Sequence, residues 1–281
     1  PDLVLMQGDT TTVMAAALAA FYQRLAIGHV EAGLRSGNRY SPFPEEINRR
    51  LTRALASYHF APTETARDAL VREGVEPSTI FVTGNPVIDA LRTVLSRPMP
   101  ALTQQLLNRV GVKSVSNTGR RLVLVTAHRR ENFGERFESI CRGLRTLAER
   151  NRDVVLIYPV HPNPNVQEPA HRILGGHARI LLVDPLPYET MAHLMNAAYV
   201  VLTDSGGLQE EAPALGKPVL VMRTETERPE AVEAGSVRLV GPDAAQIVAA
   251  TERLLNDRNA YNAMAQFSSP YGDGHAAERI V

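Results

Sequence analysis

The sequence predicts an α/β protein built from two Rossmann-like, doubly wound domains that face a cleft. Short runs rich in Val, Ile and Leu alternate with helix-like patterns, which is typical of parallel sheets covered by helices. A proline-containing segment at 96–100 and a polar, weakly patterned stretch at 112–121 separate two such series. The distinctive polar motifs directly follow strands, where sheets of this kind bind their ligands.

Each predicted strand is a short apolar run, and each predicted helix carries apolar residues three or four positions apart. The first series contains strands at 3–6, 27–30, 58–61 and 80–82, and helices at 11–24, 44–56, 64–73 and 87–95. The second series contains strands at 122–126, 154–158, 180–183, 199–203, 218–222 and 237–240, and helices at 135–150, 188–197 and 244–255.

These series predict a first domain over residues 1–84 and a second over 85–268. Residues 269–281 are predicted to form a C-terminal helix that returns to the first domain. The chain opens directly on a strand, without an initiator methionine or an N-terminal cap. We therefore expect a first domain that lacks its opening strands.

Composition excludes several classes of partner. Thirty basic residues balance thirty acidic ones, so no global charge recruits nucleic acid or an anionic membrane. No apolar run reaches the length of a membrane span, and no secretory signal is recognisable. Cys141 is the only cysteine and cannot form an internal disulfide, which favours a cytoplasmic setting and a structural role for this thiol.

The most informative segment is the turn formed by residues 204–207, Asp-Ser-Gly-Gly. It follows a β-branched strand and precedes a helix-like pattern, so backbone N–H groups converge where a phosphate could bind. The two glycines allow a diphosphate to approach the backbone closely. Glu211 follows within reach of a ribose, and Arg228 could bring a positive charge to the same anion. The alternative is an ordinary glycine-rich βα turn.

Four titratable residues follow strands or begin helices. Glu31 lies at the end of a strand and is followed by small residues, so its carboxylate is not explained by capping or charge stabilisation of a helix. His128 follows an apolar strand and precedes two arginines, which favours a functional role. Asp9 could instead be the N-cap of the helix that begins at Thr10, and Glu45 could simply complement a helix dipole.

The spacing of these residues does not predict a metal site. Neither His-x-x-x-His nor Cys-x-x-Cys occurs among them, and the acids lie in different predicted loops. His161 opens a further polar loop at 161–165. We interpret that loop as a wall of the site or an effector contact, with a plain loop as the alternative.

Together these motifs resemble the non-hydrolysing UDP-N-acetylglucosamine 2-epimerases. The matching segments are 7–12, 29–35, 44–49, 83–89, 128–132, 204–211, 227–230 and 270–274. The resemblance implies the two-domain fold of one large class of glycosyltransferases (GT-B-like) and a cytosolic homodimer. It also implies interconversion of UDP-GlcNAc and UDP-ManNAc, for which no metal or redox cofactor is needed. A Lys and an Arg that the family uses near its N-terminus are absent from this sequence.

The resemblance also implies roles for individual residues. Asp9, Glu31 and Glu45 would be the acid/base carboxylates, and His128 would meet the diphosphate and help UDP to leave. The nucleotide would be held by Ser205, Gly206 and Gly207 at the diphosphate, Glu211 at the ribose, Arg228 at its charge and Met191 near the uracil. UDP-GlcNAc could also act as an effector, in a second pocket walled by Arg129, Arg130 and His161.

Four other functions remain open from the sequence. The first is a hydrolysing relative that releases free ManNAc, and the second is an epimerase of a UDP-diacetamido-uronic acid. The third is a glycosyltransferase on the same fold, which seldom needs three carboxylates opposite one histidine. The fourth is an inactive fragment that only binds a nucleotide sugar.

Overall fold

The computed structural model describes residues 1–112, 119–266 and 269–281, so most of the weakly patterned stretch at 112–121 lies outside the described residues. The chain divides into two compact units. Unit 1 comprises Pro1–Arg92, Glu225–Glu230 and Ser269–Val281, and unit 2 comprises Thr93–Thr224 and Ala231–Ser268.

Unit 1 contains a four-stranded parallel sheet whose spatial order, β1-β2-β3-β4, follows the chain. Its apolar residues pack against helices, as with Met6 and Ile27 against Ala17 and Ala20. The strands are β1 (Leu3–Gln7), β2 (Ala26–Val30), β3 (Tyr58–Ala61) and β4 (Ile80–Val82). The helices are α1 (Thr11–Tyr22), α2 (Glu45–Leu55), α3 (Glu64–Arg72), the start of α4 (Pro86–Leu95) and α13 (Ala276–Ile280).

Unit 2 contains a six-stranded parallel sheet in the order β10-β9-β8-β5-β6-β7. The strands are β5 (Arg121–Thr126), β6 (Val154–Pro159), β7 (Ile180–Val183), β8 (Val200–Thr203), β9 (Val219–Val221) and β10 (Val237–Leu239). The helices are α5 (Ala101–Val110), α6 (Glu135–Arg150), α7 (Pro164–Leu174), α8 (Tyr188–Ala197), α9 (Leu208–Glu211), the end of α10 (Pro229–Glu233), α11 (Ala244–Asn256) and α12 (Arg258–Met264). The order reverses between β8 and β5, and that reversal is where a doubly wound sheet opens a crevice for ligands.

The division differs from the predicted boundary after residue 84, because residues 85–92 stay with unit 1. The Asn85 N–H donates to the Tyr271 carbonyl at 2.6 Å, and the Asp89 carboxylate accepts from the N–H groups of Ala276 and Ala277 at 3.2 and 2.9 Å. These bonds tie the start of α4 to the C-terminal segment. Residues 225–230 also belong to unit 1, although the sequence assigns them to the second domain.

The predicted strands and helices are present with small shifts at their ends, except that the C-terminal helix covers only Ala276–Ile280 of the predicted range 269–281. Among the described residues, four α-helices, α5, α7, α10 and α12, lie outside the predicted helix ranges. For α7 a signal existed: the Asn163 side chain accepts from the Asn165 N–H, and Pro164 occupies the first helical position. The helix expected after the Ser-Gly-Gly turn is only the single turn α9, because Pro213 cannot continue its hydrogen bonding.

Within the described ranges, every helix is too short or too polar to span a lipid bilayer.

Candidate functional site

Two candidate positions of unit 1, Asp9 and Glu31, lie just beyond the carboxyl ends of its strands. Gln7, at the end of β1, pairs with Val30, at the end of β2. Asp9 and Glu31 follow these two strands directly, so the parallel register places both at one edge of the sheet. Within unit 1, the positions of Asp9 and Glu31 therefore lie at the same edge of the sheet.

Asp9 is not the N-cap of α1. Thr10 has that role, since its hydroxyl accepts from the Val13 N–H at 3.3 Å. Asp9 instead accepts from Nη2 of the buried Arg49 at 2.5 Å, and its carbonyl accepts from the Asn48 amide at 2.9 Å. The short Asp9 segment is thus fixed to α2 by a charge-assisted bond. Arg49 was missed because its partner lies 40 positions earlier in the sequence.

Glu31 has an unusual backbone for a residue that is not glycine, with φ of 68°. Its Oε1 accepts from Nη2 of Arg228 at 3.1 Å and from Nδ2 of Asn85 at 3.3 Å. Burial raises the pKa of Glu31 above its ordinary value, and so does the charge of Asp9, whereas Arg228, Arg49 and Asn85 act to lower it. A raised pKa brings a carboxyl group closer to the range in which acid/base catalysts work.

Glu45 begins α2, and Arg49 follows it at the i+4 position on the same face of that helix. Among the described residues, no donor reaches Oε2 of Glu45, although this atom is buried. The neighbouring Glu46 is fully buried and accepts from the Ser36 N–H at 3.1 Å and from Arg50 at 3.1 Å. Glu46 therefore anchors the loop before α2, and Glu45 keeps a carboxylate oxygen available.

In unit 2, His128 follows β5 and is fixed by Asp204, which follows the neighbouring strand β8. Asp204 is fully buried and accepts from the N–H groups of His128 and Arg129 at 2.9 and 2.8 Å, and from the Asn132 amide at 3.2 Å. Its other oxygen lies 3.5 Å from Nδ1 of His128. Asp204 stood inside the predicted motif, but the sequence assigned it no role.

Burial and the charge of Asp204 act on the pKa of His128 in opposite directions. Burial lowers it below its ordinary value, and the carboxylate of Asp204 acts to raise it.

We expect Asp204→Asn to lower the pKa of His128 further, because the neutral amide no longer favours the imidazolium form. Imidazole resonances followed by NMR across a pH titration measure this. Asp153→Asn, which removes a carboxylate paired with Arg121, should leave His128 unchanged. If Asp204→Asn leaves the pKa of His128 unchanged, Asp204 does not act on this histidine as assigned.

The residues predicted as effector walls lie around His128 within unit 2. The His161 ring follows β6 and stacks on the His128 ring, with centroids 5.6 Å apart and an interplanar angle of 15°. Arg129 and Arg130 are the next residues along the chain, and both Arg129 and His161 lower the pKa of His128. These three residues therefore adjoin the predicted catalytic histidine.

The Ser-Gly-Gly turn lies at the reversal of the unit 2 sheet. Thr203 Oγ1 accepts from the Ser205 N–H at 2.9 Å, and this bond shapes the entry to the turn. Within the described residues, no acceptor is bonded to the N–H groups of Gly206, Gly207 or Leu208. Because α9 is one turn long, these loop amides rather than a long helix dipole supply the positive potential for an anion.

Glu211 is buried at the end of α9 and accepts from the Tyr188 hydroxyl at 2.7 Å. Tyr188 begins α8, and Met191 lies one turn later on the same helix. Tyr188 was missed, although a tyrosine directly after Pro187 at a helix start was a recognisable signal. Tyr188 therefore contacts the predicted ribose residue, Glu211, and lies on the same helix as the predicted uracil residue, Met191.

Arg228 does not belong to the unit that carries the turn. It lies in the 225–230 segment of unit 1, is buried, and its guanidinium meets Glu227 at 2.5 Å as well as Glu31. A bidentate-capable guanidinium suits both a carboxylate and a phosphate. Its position next to Glu31 was not foreseen.

No group of three or more potential metal ligands (His, Cys, Asp or Glu) occurs among residues 1–112, 119–266 and 269–281.

A family model described as UDP-N-acetylglucosamine 2-epimerase matches residues 1–281. The chain belongs to this family. It is 55% identical to UDP-N-acetylglucosamine 2-epimerase of Escherichia coli K12 over 282 residues, which cover 100% of this chain and 74% of that protein. Membership of a family of epimerases places the chain among the isomerases.

Solved structures of the UDP-N-acetylglucosamine 2-epimerase family share the fold. The Neisseria meningitidis enzyme bound to UDP-GlcNAc is 44% identical with a TM-score of 0.93, and the match covers 99% of this chain and 74% of that one. Staphylococcus aureus MnaA with UDP is 45% identical with a TM-score of 0.92, covering 100% of this chain and 74% of that one. These relatives have the GT-B-like arrangement that the resemblance implied.

Proposed function

We propose that the chain interconverts UDP-GlcNAc and UDP-ManNAc without releasing free sugar. The observation that carries the proposal is the family match over the whole length of the chain, together with the cluster of Asp9, Glu31 and Arg49 beyond the strand ends of unit 1. The relative from N. meningitidis was solved with UDP-GlcNAc, which supports this nucleotide sugar as the substrate.

The substrate explains why several carboxylates are needed. The hydrogen on C2 is not next to a carbonyl, so its direct removal would be very slow. In the proposed reaction the C1–O bond to UDP breaks while a base takes the C2 proton, which gives 2-acetamidoglucal and UDP by anti elimination. UDP then adds back to C1 by syn addition, with a proton delivered to the opposite face of C2. Access to both faces requires more than one acid/base group.

Unit 1 supplies these groups in the proposal. Glu31 is the leading candidate for proton transfer at C2, because burial keeps its pKa above the ordinary value. Asp9 and Glu45 are the further acid/base candidates. Arg49 holds Asp9 in place, which supports a defined position for that carboxylate.

Unit 2 binds the nucleotide in the proposal. The Ser205–Gly207 turn would hold the diphosphate through its amides, and Glu211 the ribose, with Met191 near the uracil. His128 would contact the diphosphate and become protonated as negative charge accumulates on the leaving UDP. Arg228 of unit 1 would complement the charge of the nucleotide.

The proposal predicts a specific isotope pattern. In deuterated buffer, the chain with UDP-GlcNAc should yield both UDP-sugars carrying deuterium at C2, because the proton that returns to C2 comes from solvent. The total amount of UDP-sugar should stay constant. NMR of the C2 position and chromatography of the nucleotides measure both quantities.

The other outcomes identify the alternatives. Accumulation of free ManNAc and UDP would show a hydrolysing enzyme. Exchange only with a UDP-diacetamido-uronic acid would show a different sugar specificity. Binding of UDP without exchange would leave an inactive nucleotide-sugar binder or a transferase.

We extend the proposal to the oligomeric state, the effector and the cellular compartment. A homodimer in the cytoplasm, with UDP-GlcNAc also acting as an effector near Arg129, Arg130 and His161, follows from the family resemblance. Burial of the single thiol of Cys141, whose pKa it raises to about 12, is compatible with a reducing compartment. A monomer in sedimentation equilibrium, or a hyperbolic dependence of rate on UDP-GlcNAc, would contradict the dimer and the effector respectively.

A further inference from the structure

We infer that Asn85 is a positioning residue that fixes the carboxylate of Glu31 for proton transfer. The inference rests on the proposed function and deepens it. Asn85 belongs to the 83–89 motif, and Tyr271 to the 270–274 motif. Neither motif had received a role in the reaction.

Asn85 is itself fixed by burial and by hydrogen bonds. Its side chain is buried, and its backbone N–H donates to the Tyr271 carbonyl at 2.6 Å. Its Oδ1 accepts from the Val87 N–H at 3.3 Å, at the start of α4. These bonds orient the amide so that Nδ2 donates to Oε1 of Glu31 at 3.3 Å. An amide placed in this way can only donate towards the carboxylate.

Tyr271 is also fixed. It is fully buried, and its hydroxyl donates to Glu230 at 3.0 Å, while the same carboxylate accepts from Thr63 Oγ1 at 2.5 Å. Close packing adds to this, because a Cβ on Gly84 would lie 3.0 Å from the Cα of Gly272. The 83–89 and 270–274 motifs therefore pack against each other within unit 1 and together position Asn85, which donates to Glu31.

The two carboxylate oxygens of Glu31 differ in the hydrogen bonds they accept. Arg228 and Asn85 both bind Oε1. Oε2 lies towards Gly8, where a Cβ would come within 3.4 Å of it and where φ is +87°. Glycine at position 8 thus leaves space beside Oε2. The geometry makes Oε2 the oxygen that exchanges a proton and Oε1 the oxygen that anchors the side chain.

The charged groups that act on Glu31 come from three segments. Asp9 after β1 raises its pKa, and Arg49 on α2 and Arg228 in the 225–230 segment lower it. Asn85 also contacts Glu31 but carries no charge. A negative charge in its place would oppose ionisation of Glu31 without removing either arginine.

The decisive variant is Asn85→Asp, which keeps the shape of the side chain and its Oδ1 acceptor but replaces the donor by a carboxylate. We expect the pH profile of kcat to move to higher pH, with KM for UDP-GlcNAc nearly unchanged. Asn85→Ala, which removes the donor without adding charge, should lower kcat by about tenfold, the scale of one lost hydrogen bond to a charged group.

A matched control exists in unit 2. Asn151 donates from Nδ2 to Oε1 of Glu252 at 3.2 Å, so Asn151→Asp makes the same change opposite a glutamate outside the candidate site. Its pH profile should equal that of the unmodified chain. If Asn85→Asp has native circular dichroism and a pH profile of kcat equal to that of the unmodified chain, the inference is overturned.

A second measurement does not depend on activity. The carboxyl carbon of Glu31, labelled with ¹³C and titrated by NMR, should show a higher pKa in both Asn85→Asp and Asn85→Ala than in the unmodified chain. An unmodified chain without C2 exchange would count against the proposed function, while the Glu31 titration would still decide the role of Asn85. Equal Glu31 titrations in all three chains would overturn the inference.

Discussion

Glu31→Gln is expected to reduce C2 deuterium exchange by at least about 100-fold, the usual scale for losing an acid/base group. The glutamine amide cannot take a proton from C2 at any accessible pH. Its carbonyl can still accept from Asn85 and Arg228, so the contacts that hold the side chain persist. The loss should therefore appear in kcat, with a much smaller change in KM.

The comparison variant for this prediction is Glu64→Gln, which changes an exposed glutamate at the first turn of α3 in the same unit. It should exchange at the rate of the unmodified chain. Single-turnover exchange measured by NMR gives both rates. Near-normal exchange in Glu31→Gln would remove this residue from the mechanism and leave Asp9 or Glu45 as the base.

Gly33→Ala is expected to destabilise the chain by about 3 kcal/mol or more. Gly33 has φ of +88°, a region that costs other residues about 1–3 kcal/mol. A Cβ at this position would also lie 2.2 Å from the carbonyl oxygen of Ala66, and overlap with fixed backbone adds roughly 1–3 kcal/mol. Gly33 directly follows the Glu31-Ala32 pair, so its displacement would also move the candidate base.

Gly37→Ala separates the two causes. Gly37 has φ of +79°, but a Cβ there would meet no heavy atom within 4 Å, so only the backbone cost of about 1–2 kcal/mol applies. The free energy of unfolding, measured by urea denaturation, should fall clearly more for Gly33→Ala than for Gly37→Ala. Equal losses would show that the α3 backbone moves away to accommodate the methyl group.

The class of fold and the location of the candidate residues could be predicted from local pattern. Strands such as Leu3–Gln7 and Ala26–Val30 are short apolar runs, and parallel pairing brings their carboxyl ends together whatever the details of packing. That is why Asp9, Glu31 and His128 could be selected before any coordinates. The α7 helix was missed because Pro164, Asn165 and Pro169 within it are residues more typical of loops.

The partners of those residues could not be predicted in the same way. Glu31 is bonded to Asn85, 54 positions later, and to Arg228, 197 positions later. No local period relates such residues, since their meeting depends on the sheet register and on the return of residues 225–230 to unit 1. The same applies to Asp204 beside His128, which requires β5 and β8 to be neighbours.

The sequence by itself determined that this protein alternates strands and helices and presents acids, a histidine and a Ser-Gly-Gly turn after its strands. Hydrophobic burial and backbone hydrogen bonding enforce that pattern segment by segment. Only the tertiary structure decided which oxygen of Glu31 is anchored, that Arg228 neighbours an acid, and that Asp204 holds His128. Those outcomes depend on electrostatic and hydrogen-bonding interactions over a few ångströms, and the folded chain alone sets such distances.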